Sequence, residues 1–530
     1  MARSFKLDWE SAFITGVYTA GWGLLLLATG RYWDDWAALD LSAKATAEWS
    51  RQQGLFWQLD LLGVLSALPG TERIGHIMTF FAFLACALIL HRLLRAVPTV
   101  SVRARVMIPA IFAVFPVNSA RFALVTLMYA ISLAVFMIAW WIIAVDLSRP
   151  TLWRKAVAGG LLIFAMLSTA SLLVFSMVIP AYVLWARWAD LRIPGGRRSL
   201  AVGYGFLLAL PVVAWVVRSM ALQPSGLYVG YNELKLSGAL QALGTVPGAF
   251  MASLVNPMAV AFSSGVWISL VGALVLYGLI FRRFTVADVP FTHWSRDLQL
   301  LGVGFAVFIL AVFPYLAVGK VPQANYWDSR HQLLVPFGAA LLLYAAVALL
   351  VRALRLEPRV AALALCVLLS GFAVGDLQMS LDYQGDWYKQ VSLLRRMAES
   401  EDLQAASMAV FLDRAPWPRG YSFYEYNGMM HRAFGDATRL GIADYHLHLL
   451  RDIKALRSFE QYNFWQYRET PNRVRVTITP GLRDVRKPGV VLGLMWRETL
   501  VPELFDKAVL DVVRIETNPW RKEAYRQVIR

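Results

Sequence analysis

Cysteine is almost absent from this chain of 530 residues, which contains only 2. Both Cys86 and Cys366 lie inside long apolar runs, so neither is placed to close a disulfide in an exported domain. A thiol in such a run is typical of a small core side chain. The C-terminal segment of about 150 residues is therefore expected to fold without disulfides, and that length is sufficient for a hydrophobic core.

Charged residues are also scarce at 16%, whereas hydrophobic residues make up 58% and the mean hydropathy is +0.52. This composition excludes a soluble globular chain and indicates a multi-pass membrane protein. A bilayer is crossed by about 17 to 25 apolar residues in a helix, and the chain contains about eleven such runs. The predicted spans cover approximately residues 10–30, 74–92, 106–119, 122–146, 155–169, 171–187, 200–218, 264–281, 298–316, 332–351 and 360–376.

Acidic residues are outnumbered by basic ones, which leaves a formal net charge of +16. The basic residues concentrate in alternate loops, and such loops are retained on the cytoplasmic side. We therefore predict a cytoplasmic N-terminus and an exported C-terminus, and no nucleic-acid partner is needed to explain the charge. The loops assigned to the cytoplasm contain Arg92, Arg95, Arg103, Arg105, Arg149, Arg154, Lys155, Arg187, Arg192, Arg197, Arg198, Arg282, Arg283, Arg296, Arg352, Arg355 and Arg359.

The interiors of the predicted spans contain almost no ionisable side chains. An ion-coupled transporter normally has a charged or titratable ligand near the bilayer midplane, so this pattern argues against that class of protein. The charged and titratable groups lie instead at the predicted outer ends of the spans. They are Glu72, Arg73, His76, Arg121, Arg218, Asp328, Arg330 and Asp376.

Beyond the last predicted span, the apolar runs shorten to strand length and charges become frequent. This change predicts a soluble α/β domain at residues 377–530, after a transmembrane module at residues 1–376. The domain has no repeat, phosphate-binding glycine loop or nucleophile elbow, and His446 and His448 would point apart on a surface helix. The predicted strands are 408–412, 473–478, 490–494 and 509–515, and an amphipathic helix is expected at 383–399.

The loop after the first span contains two adjacent carboxylates, Asp34 and Asp35, in the sequence Arg-Tyr-Trp-Asp-Asp-Trp. Ionised acids avoid hydrocarbon, and Trp and Tyr side chains anchor a loop at the headgroup level. The two acids are therefore expected in water just outside the bilayer. They either act on a molecule that is half lipid and half polar, or belong to an ordinary solvated loop with Trp anchors.

Together, these features resemble the GT-C superfamily of membrane glycosyltransferases, which use polyprenyl-phosphate-linked sugars on the outer face of the membrane. Its members carry an acidic pair in the first exported loop, where Asp34 and Asp35 fall. The segment 112–132 is similar to their short third helix, Pro-containing outer turn and fourth helix. The loop at 326–336 is similar to the basic patch that meets the donor phosphate, and the aromatic segment 385–388 to the start of their exported C-terminal domain.

The resemblance implies a polytopic α-helical enzyme of the bacterial inner membrane, with about eleven transmembrane helices and the C-terminal α/β domain. It would transfer a sugar from a polyprenyl-phosphate donor to an extracytoplasmic glycan, lipid or protein acceptor, with inversion. One alternative is a non-enzymatic flippase or exporter of lipid-linked saccharides. Another is a polysaccharide polymerase or ligase with a lipid-diphosphate donor. The chain lacks the longer signatures of oligosaccharyltransferases and protein O-mannosyltransferases, so the subfamily stays open.

Transfer to an acceptor hydroxyl needs a base, and the candidates are Asp34 and Asp35. Adjacent side chains in an extended loop point to opposite sides. One acid is therefore expected to face the reaction, and its neighbour to orient the loop or hold a cation. Whether a divalent cation, Mg²⁺ or Mn²⁺, is required stays open; if one is bound, Asp34 or Asp35 would hold it.

The leaving lipid phosphate gains negative charge, which fixed cations stabilise. Arg330 is the best candidate because a guanidinium binds phosphate through two hydrogen bonds. The weaker candidates are His331, Lys320, Arg121 and Arg31, and the alternative for Arg330 and His331 is a snorkelling pair at the interface. Further cavity candidates are Glu72, Arg73, His76, Tyr231, Glu233, Tyr326 and Asp328, the first three of which are also explained by a helix cap or a local ion pair.

Overall fold

A computed structural model describes residues 8–230, 236–263, 265–284, 294–324, 326–415, 419–447 and 472–520. The chain folds into two compact units. Unit 1 contains Met1–Leu26, Ile77–Arg121 and Thr126–Leu377, and unit 2 contains Leu27–His76, Phe122–Val125 and Gln378–Arg530. The structure groups residues 27–76, which follow the first apolar run, with the C-terminal segment in unit 2. The sequence-based division after residue 376 stays a prediction.

The structure is mostly helical. Among the described residues, 7 helices are long and apolar enough to cross a membrane. The higher number of crossings predicted from the sequence, and their orientation, stay predictions. The 7 helices are Thr71–Arg95, Leu124–Asp146, Gly196–Ala221, Gly244–Ser263, Trp294–Leu316, Val335–Ala353 and Pro358–Glu399, and Ser171–Ala186 and Val266–Leu279 are shorter apolar helices.

Several of these helical segments are interrupted by turns or by tighter and wider helical geometry. When these interruptions are taken into account, unit 1 contains further α-helices and shorter α-helical parts of the segments named above. In the described residues they are Trp9–Trp22, Val102–Val114, Leu127–Asp146, Leu152–Ser168, Ser171–Phe175, Val178–Ala186, Gly196–Tyr204, Phe206–Ala221, Leu236–Phe250, Asn256–Ser263 and Val266–Phe284. Among the described residues, the 3-10 turns are Gly23–Leu27, Ser119–Phe122, Leu124–Thr126, Asp190–Arg192, Gly226–Tyr228 and Trp327–Gln332, and Met251–Val255 is a π-helix.

Two helices of unit 1, Trp294–Leu316 and Val335–Ala353, pack closely through glycine. A Cβ atom at Gly338 would lie 2.5 Å from the backbone of Phe308, and one at Gly304 would lie 2.9 Å from the facing helix. Carbon atoms do not approach that closely, so a larger residue at either position would push the helices apart. Small residues serve this purpose in membrane proteins because apolar burial alone does not drive helices together in lipid.

Unit 1 also exposes large apolar side chains on several of its helices. Val212 and Trp215 are exposed on Phe206–Ala221, and Trp267 and Leu274 are exposed on the helix that begins at Val266. Soluble proteins rarely leave such surfaces in water. The exposed faces therefore suit contact with lipid chains.

Unit 2 contains a sheet whose described strands are β1 (Met408–Asp413), β2 (Leu440–Ala443), β3 (Arg473–Pro480) and β4 (Val513–Pro519). Their order is β2-β1-β3-β4, in which β1 is parallel to both of its neighbours and β4 is antiparallel to β3. The strand β1 is buried because it lies inside the sheet, with Val410 packed against Ile442 and its neighbours. This small sheet agrees with the α/β character predicted for the C-terminal segment.

Two of the predicted strands differ from the structure. The prediction for 490–494 is wrong, because these residues lie in the helix Pro488–Leu500, with Val491, Leu494 and Met495 buried at helical spacing. The prediction for 509–515 begins too early, since β4 starts only after a helix and a turn. No sequence pattern predicts β2, which has only 4 residues and no alternation of apolar and polar side chains.

The last predicted span and the amphipathic helix after it form one continuous helix, Pro358–Glu399, of 42 residues. Its residues up to Leu377 belong to unit 1 and those from Gln378 to unit 2. The other helices in the described part of unit 2 are Asp35–Ala38, Ala43–Gln53, Gln58–Ser66, Glu401–Ala405, Phe423–Phe434, Pro488–Leu500 and Pro502–Val509.

Candidate functional site

In unit 2, the acidic pair begins a short helix, Asp35–Ala38. The Asp35 side chain is fully buried. Its Oδ2 atom accepts the backbone N–H groups of Tyr32 at 3.0 Å and Leu124 at 2.9 Å, and its Oδ1 atom accepts that of Val125 at 2.9 Å. One carboxylate therefore joins its own loop to a segment about ninety positions later in the chain.

Burial raises the pKa of the Asp35 carboxyl to about 7, because the charged form loses its hydration. The backbone N–H donors of Leu124, Tyr32 and Val125 act in the opposite direction, since they stabilise the carboxylate. Both oxygens of Asp35 are thus occupied by donors that hold the loop. This environment suits a positioning residue better than a base that must approach a substrate.

Asp34 has a different environment from its neighbour. It precedes the short helix and is half-buried. Burial and then the charge of Asp34 raise the pKa of the Tyr424 phenol, which places the Asp34 carboxylate within electrostatic reach of that side chain. The sequence ranked the two acids equally as bases, and these environments make Asp34 the better candidate.

The residue before the pair, Trp33, adopts a left-handed backbone conformation with φ of 50°. Bulky residues rarely adopt this conformation, so the surroundings must stabilise it. The backbone N–H of Trp33 donates to Oε1 of Glu425 at 3.1 Å, and the Arg419 guanidinium lies 4.7 Å from the centre of its indole ring. These contacts fix the chain immediately before Asp34.

Arg419 is the centre of a buried charge network in unit 2. Its guanidinium donates to Asp386 at 3.1 Å and to both oxygens of Glu425 at 2.6 and 3.1 Å, and the Tyr421 hydroxyl donates to Asp386 at 2.7 Å. Burial disfavours the charged guanidinium, but the charges of Glu425 and Asp386 raise the pKa of Arg419 well above its ordinary value. No sequence pattern predicts this network, because Arg419 and Glu425 belong to no motif.

Arg31, a weaker candidate for phosphate binding, forms ion pairs with two acidic residues of unit 2. Its guanidinium lies 2.7 Å from Glu72 and 2.9 Å from Asp40. Arg432 approaches the same Glu72 carboxylate at 3.6 Å. Arg31 and Glu72 therefore form a local ion-pair cluster, in which the cation is already neutralised.

Arg73 and His76, the cavity candidates that follow Glu72 in the sequence, differ in burial. Arg73 is exposed. His76 is fully buried, with Nδ1 lying 3.2 Å from the carbonyl oxygen of Ala28 and Nε2 2.8 Å from that of Phe122. The imidazole thus links two backbone segments of unit 2, which is a structural role.

In unit 1, the predicted basic loop forms the 3-10 turn Trp327–Gln332. Arg330 donates to the carbonyl oxygen of Trp327 at 2.9 Å, lies 4.4 Å from the centre of the Trp327 ring, and approaches Asp328 at 3.2 Å. Tyr326 precedes this turn with an exposed side chain and φ of 64°. The guanidinium is therefore held in place by the loop itself.

His331 is buried beside Arg330. Burial lowers the pKa of His331 to about 3, and the positive charges of Arg330 and Lys320 add to this effect. The imidazole is consequently neutral at physiological pH and offers an N–H donor rather than a cation. Lys320 itself is half-exposed.

Arg121, the remaining basic candidate, is buried in unit 1. Its guanidinium lies 3.7 Å from the ring centre of Trp22 and 4.4 Å from that of Phe83, and its Nε donates to the carbonyl oxygen of Asn118 at 3.2 Å. The residue lines a small cavity with Phe83, Asn118 and Pro336. Arg121 thus serves the packing of this unit.

Two cavity candidates, Tyr231 and Glu233, lie outside the described residues. Asp34 would hold a divalent cation at the acidic pair more readily than Asp35, because Asp34 is half-buried, whereas Asp35 is fully buried and already accepts three backbone N–H groups. The prediction of Mg²⁺ or Mn²⁺ at this pair stays a prediction.

No protein-family model matches this chain, and no curated protein matches its sequence. By its structure, the chain is a mostly helical protein with several apolar, membrane-length helices and a small sheet near its C-terminus.

Proposed function

We propose that this chain is a membrane glycosyltransferase of the GT-C type, which transfers a sugar from a polyprenyl-phosphate donor to an extracytoplasmic glycan, lipid or protein acceptor. The proposal rests on the difference between the environments of Asp34 and Asp35, the acidic pair of unit 2. Asp35 is buried and held by three backbone N–H groups, and this arrangement presents its neighbour Asp34 from a fixed loop. A solvated loop with Trp anchors alone would not need a buried carboxylate.

In the proposed reaction, Asp34 accepts the proton of the acceptor hydroxyl. The hydroxyl oxygen attacks the anomeric carbon of the donor, and the bond between that carbon and the phosphate oxygen breaks. The lipid phosphate leaves with the bonding electron pair. Direct displacement of this kind inverts the anomeric centre.

Fixed donors stabilise the charge that develops on the leaving phosphate. Arg330 in unit 1 is our candidate, because its own loop holds the guanidinium through Trp327 and Asp328. A preorganised guanidinium loses little side-chain freedom on binding phosphate. His331 would assist as a neutral N–H donor.

The enzyme and its alternatives differ in what they do to the donor. The purified chain, supplied with a panel of polyprenyl-phosphate sugars and a water-soluble acceptor mixture, is expected to produce free lipid phosphate and glycosylated acceptor. Movement of an intact lipid-linked saccharide across a vesicle bilayer without bond cleavage would support the flippase instead. Turnover only with lipid-diphosphate donors would support the polymerase or ligase.

Replacing Arg330 with glutamine is expected to weaken donor use. Loss of one charge-assisted contact with the phosphate should raise KM for the donor about tenfold to a hundredfold. Arg330→Lys should recover part of this loss because it restores the charge without the planar fork. Arg149→Gln, which removes an exposed arginine from another loop of unit 1, is the matched control; an equal KM for all variants contradicts the phosphate role.

The neutral state of His331 makes a prediction about pH. Because burial keeps the pKa of His331 at about 3, its protonation state is constant across the working range. Affinity for the donor, measured by equilibrium binding, is therefore expected to change less than about twofold between roughly pH 5.5 and pH 8. A fall of about tenfold as the pH rises through roughly 6.5, abolished by His331→Gln, would show that the imidazolium binds the phosphate.

A further inference from the structure

A second cluster of polar side chains lies in unit 1, apart from the residues considered so far. Asp8 and Glu10 lie at the start of the helix Trp9–Trp22, and His91 lies near the end of the helix Thr71–Arg95. Each of the three residues offers a ligand atom, and these atoms lie within 4.8 Å of one another. Glu10 and His91 are buried, and Asp8 is half-buried.

The hydrogen bonding of His91 fixes the direction of its free lone pair. Its Nδ1 atom lies 2.8 Å from the carbonyl oxygen of Arg105, which accepts only, so Nδ1 carries the proton. The Nε2 atom then points its lone pair at Oε2 of Glu10, 3.4 Å away. Within the described part of the chain, neither Nε2 nor Oε2 has a hydrogen-bond partner.

Two buried acceptors that face each other repel through their lone pairs, and a metal ion bound between them would remove this repulsion. The carboxylates of Glu10 and Asp8 also accept hydrogen bonds from neighbouring groups, which would orient them toward a bound metal ion. Arg105 donates to Oε1 of Glu10 at 2.9 Å, Arg95 donates to Oδ2 of Asp8 at 2.9 Å, and the Ser11 backbone N–H donates to Oδ1 of Asp8 at 2.9 Å. Metal-bound carboxylates and imidazoles are typically held by hydrogen bonds of this kind.

We propose that Asp8, Glu10 and His91 bind one Zn²⁺ ion, with Nε2 of His91, Oε2 of Glu10 and one carboxylate oxygen of Asp8 as its ligands. One imidazole and two carboxylates form a set of three that zinc accepts, with a fourth position left for water. Magnesium and calcium prefer sets made only of oxygen ligands.

The bound ion would link two helices that are far apart in the sequence, so its role is structural. The positive charges of Arg95 and Arg105 compete with the ion for the two carboxylates. Binding is therefore expected in the micromolar range, weaker than at a zinc site without such neighbours.

The test uses the full chain, purified in detergent and stripped with a chelator. Titration with Zn²⁺ is expected to load one ion per chain and to raise the thermal midpoint, whereas Mg²⁺ at the same concentration does neither. Co²⁺ in place of zinc should give the visible absorption bands of a low-symmetry site. The substitutions Glu10→Gln and His91→Gln are each expected to weaken Zn²⁺ binding at least a hundredfold and to remove the zinc-dependent stabilisation.

The matched control is His446→Gln, which changes a half-buried histidine of unit 2 and should leave zinc binding unchanged. Asp8→Asn provides a third variant, so the test does not depend on the folding of either buried substitution. The proposal is overturned if the parent binds no zinc, if the stoichiometry is lost in His446→Gln but kept in His91→Gln, or if zinc stabilises the parent and all three cluster variants equally.

Discussion

Asp34→Asn is expected to reduce sugar transfer at least about a hundredfold, because loss of a general base typically costs this much. The amide has nearly the same size as the carboxylate but does not accept the proton of the acceptor hydroxyl. The donor does not need this proton acceptor for binding, so KM for the donor should stay close to that of the parent. The measurement is the initial rate of glycosylated product with a polyprenyl-phosphate sugar, together with the thermal midpoint.

Asp35→Asn serves as the contrasting variant, because its expected effect falls on stability first. Backbone N–H groups of Tyr32, Leu124 and Val125 point at the two oxygens. An amide NH₂ in place of either oxygen would face a donor, and a buried donor without an acceptor costs about 1–3 kcal/mol. Asp35→Asn should therefore lower the thermal midpoint and the transfer rate together.

A matched control for both variants is Asp60→Asn, which changes an exposed carboxylate on the helix Gln58–Ser66 of the same loop region. It should match the parent in rate and stability. If Asp34→Asn also matches the parent while Asp35→Asn loses transfer at unchanged stability, the assigned roles are reversed. If neither variant affects transfer, the acidic pair is structural.

The second large effect is expected at Arg419, where Arg419→Met should destabilise unit 2 by about 3–5 kcal/mol. Removal of the guanidinium leaves Asp386 and Glu425 buried without their cation, at positions that are fully shielded from solvent. Methionine fills much of the same volume, so the loss reports charge rather than a cavity. The triple variant with Asp386→Asn and Glu425→Gln should recover part of the stability, since no uncompensated charge remains.

Denaturation in detergent, followed by tryptophan fluorescence, measures this effect. The control is Arg486→Met, which removes the exposed partner of Asp484 and should change little, because surface ion pairs contribute weakly. Transfer should also fall in Arg419→Met, since Glu425 holds the backbone of Trp33 next to Asp34. A thermal midpoint equal to that of the parent would contradict a supporting role for the network.

The alternating segment at 473–478 is confirmed as part of β3, because alternation is a local property of a half-buried strand. The strand predicted at 490–494 is wrong because a short apolar run is compatible with either a strand or a buried helix. The preceding Pro488 lies at the first helical position and favours the helix that forms.

Hydrophobicity and length are properties of each segment alone, so the order of the amino acids was enough to predict a chain rich in membrane-length apolar helices. The sequence also identified the adjacent acids Asp34 and Asp35. Only the tertiary structure distinguished them, because the N–H donors of Leu124 and Val125 come from a distant part of the chain. The network of Arg419 was likewise visible only in the tertiary structure. Burial and the geometry of its ion pairs depend on which segments meet in space, and no local pattern of residues predicts this.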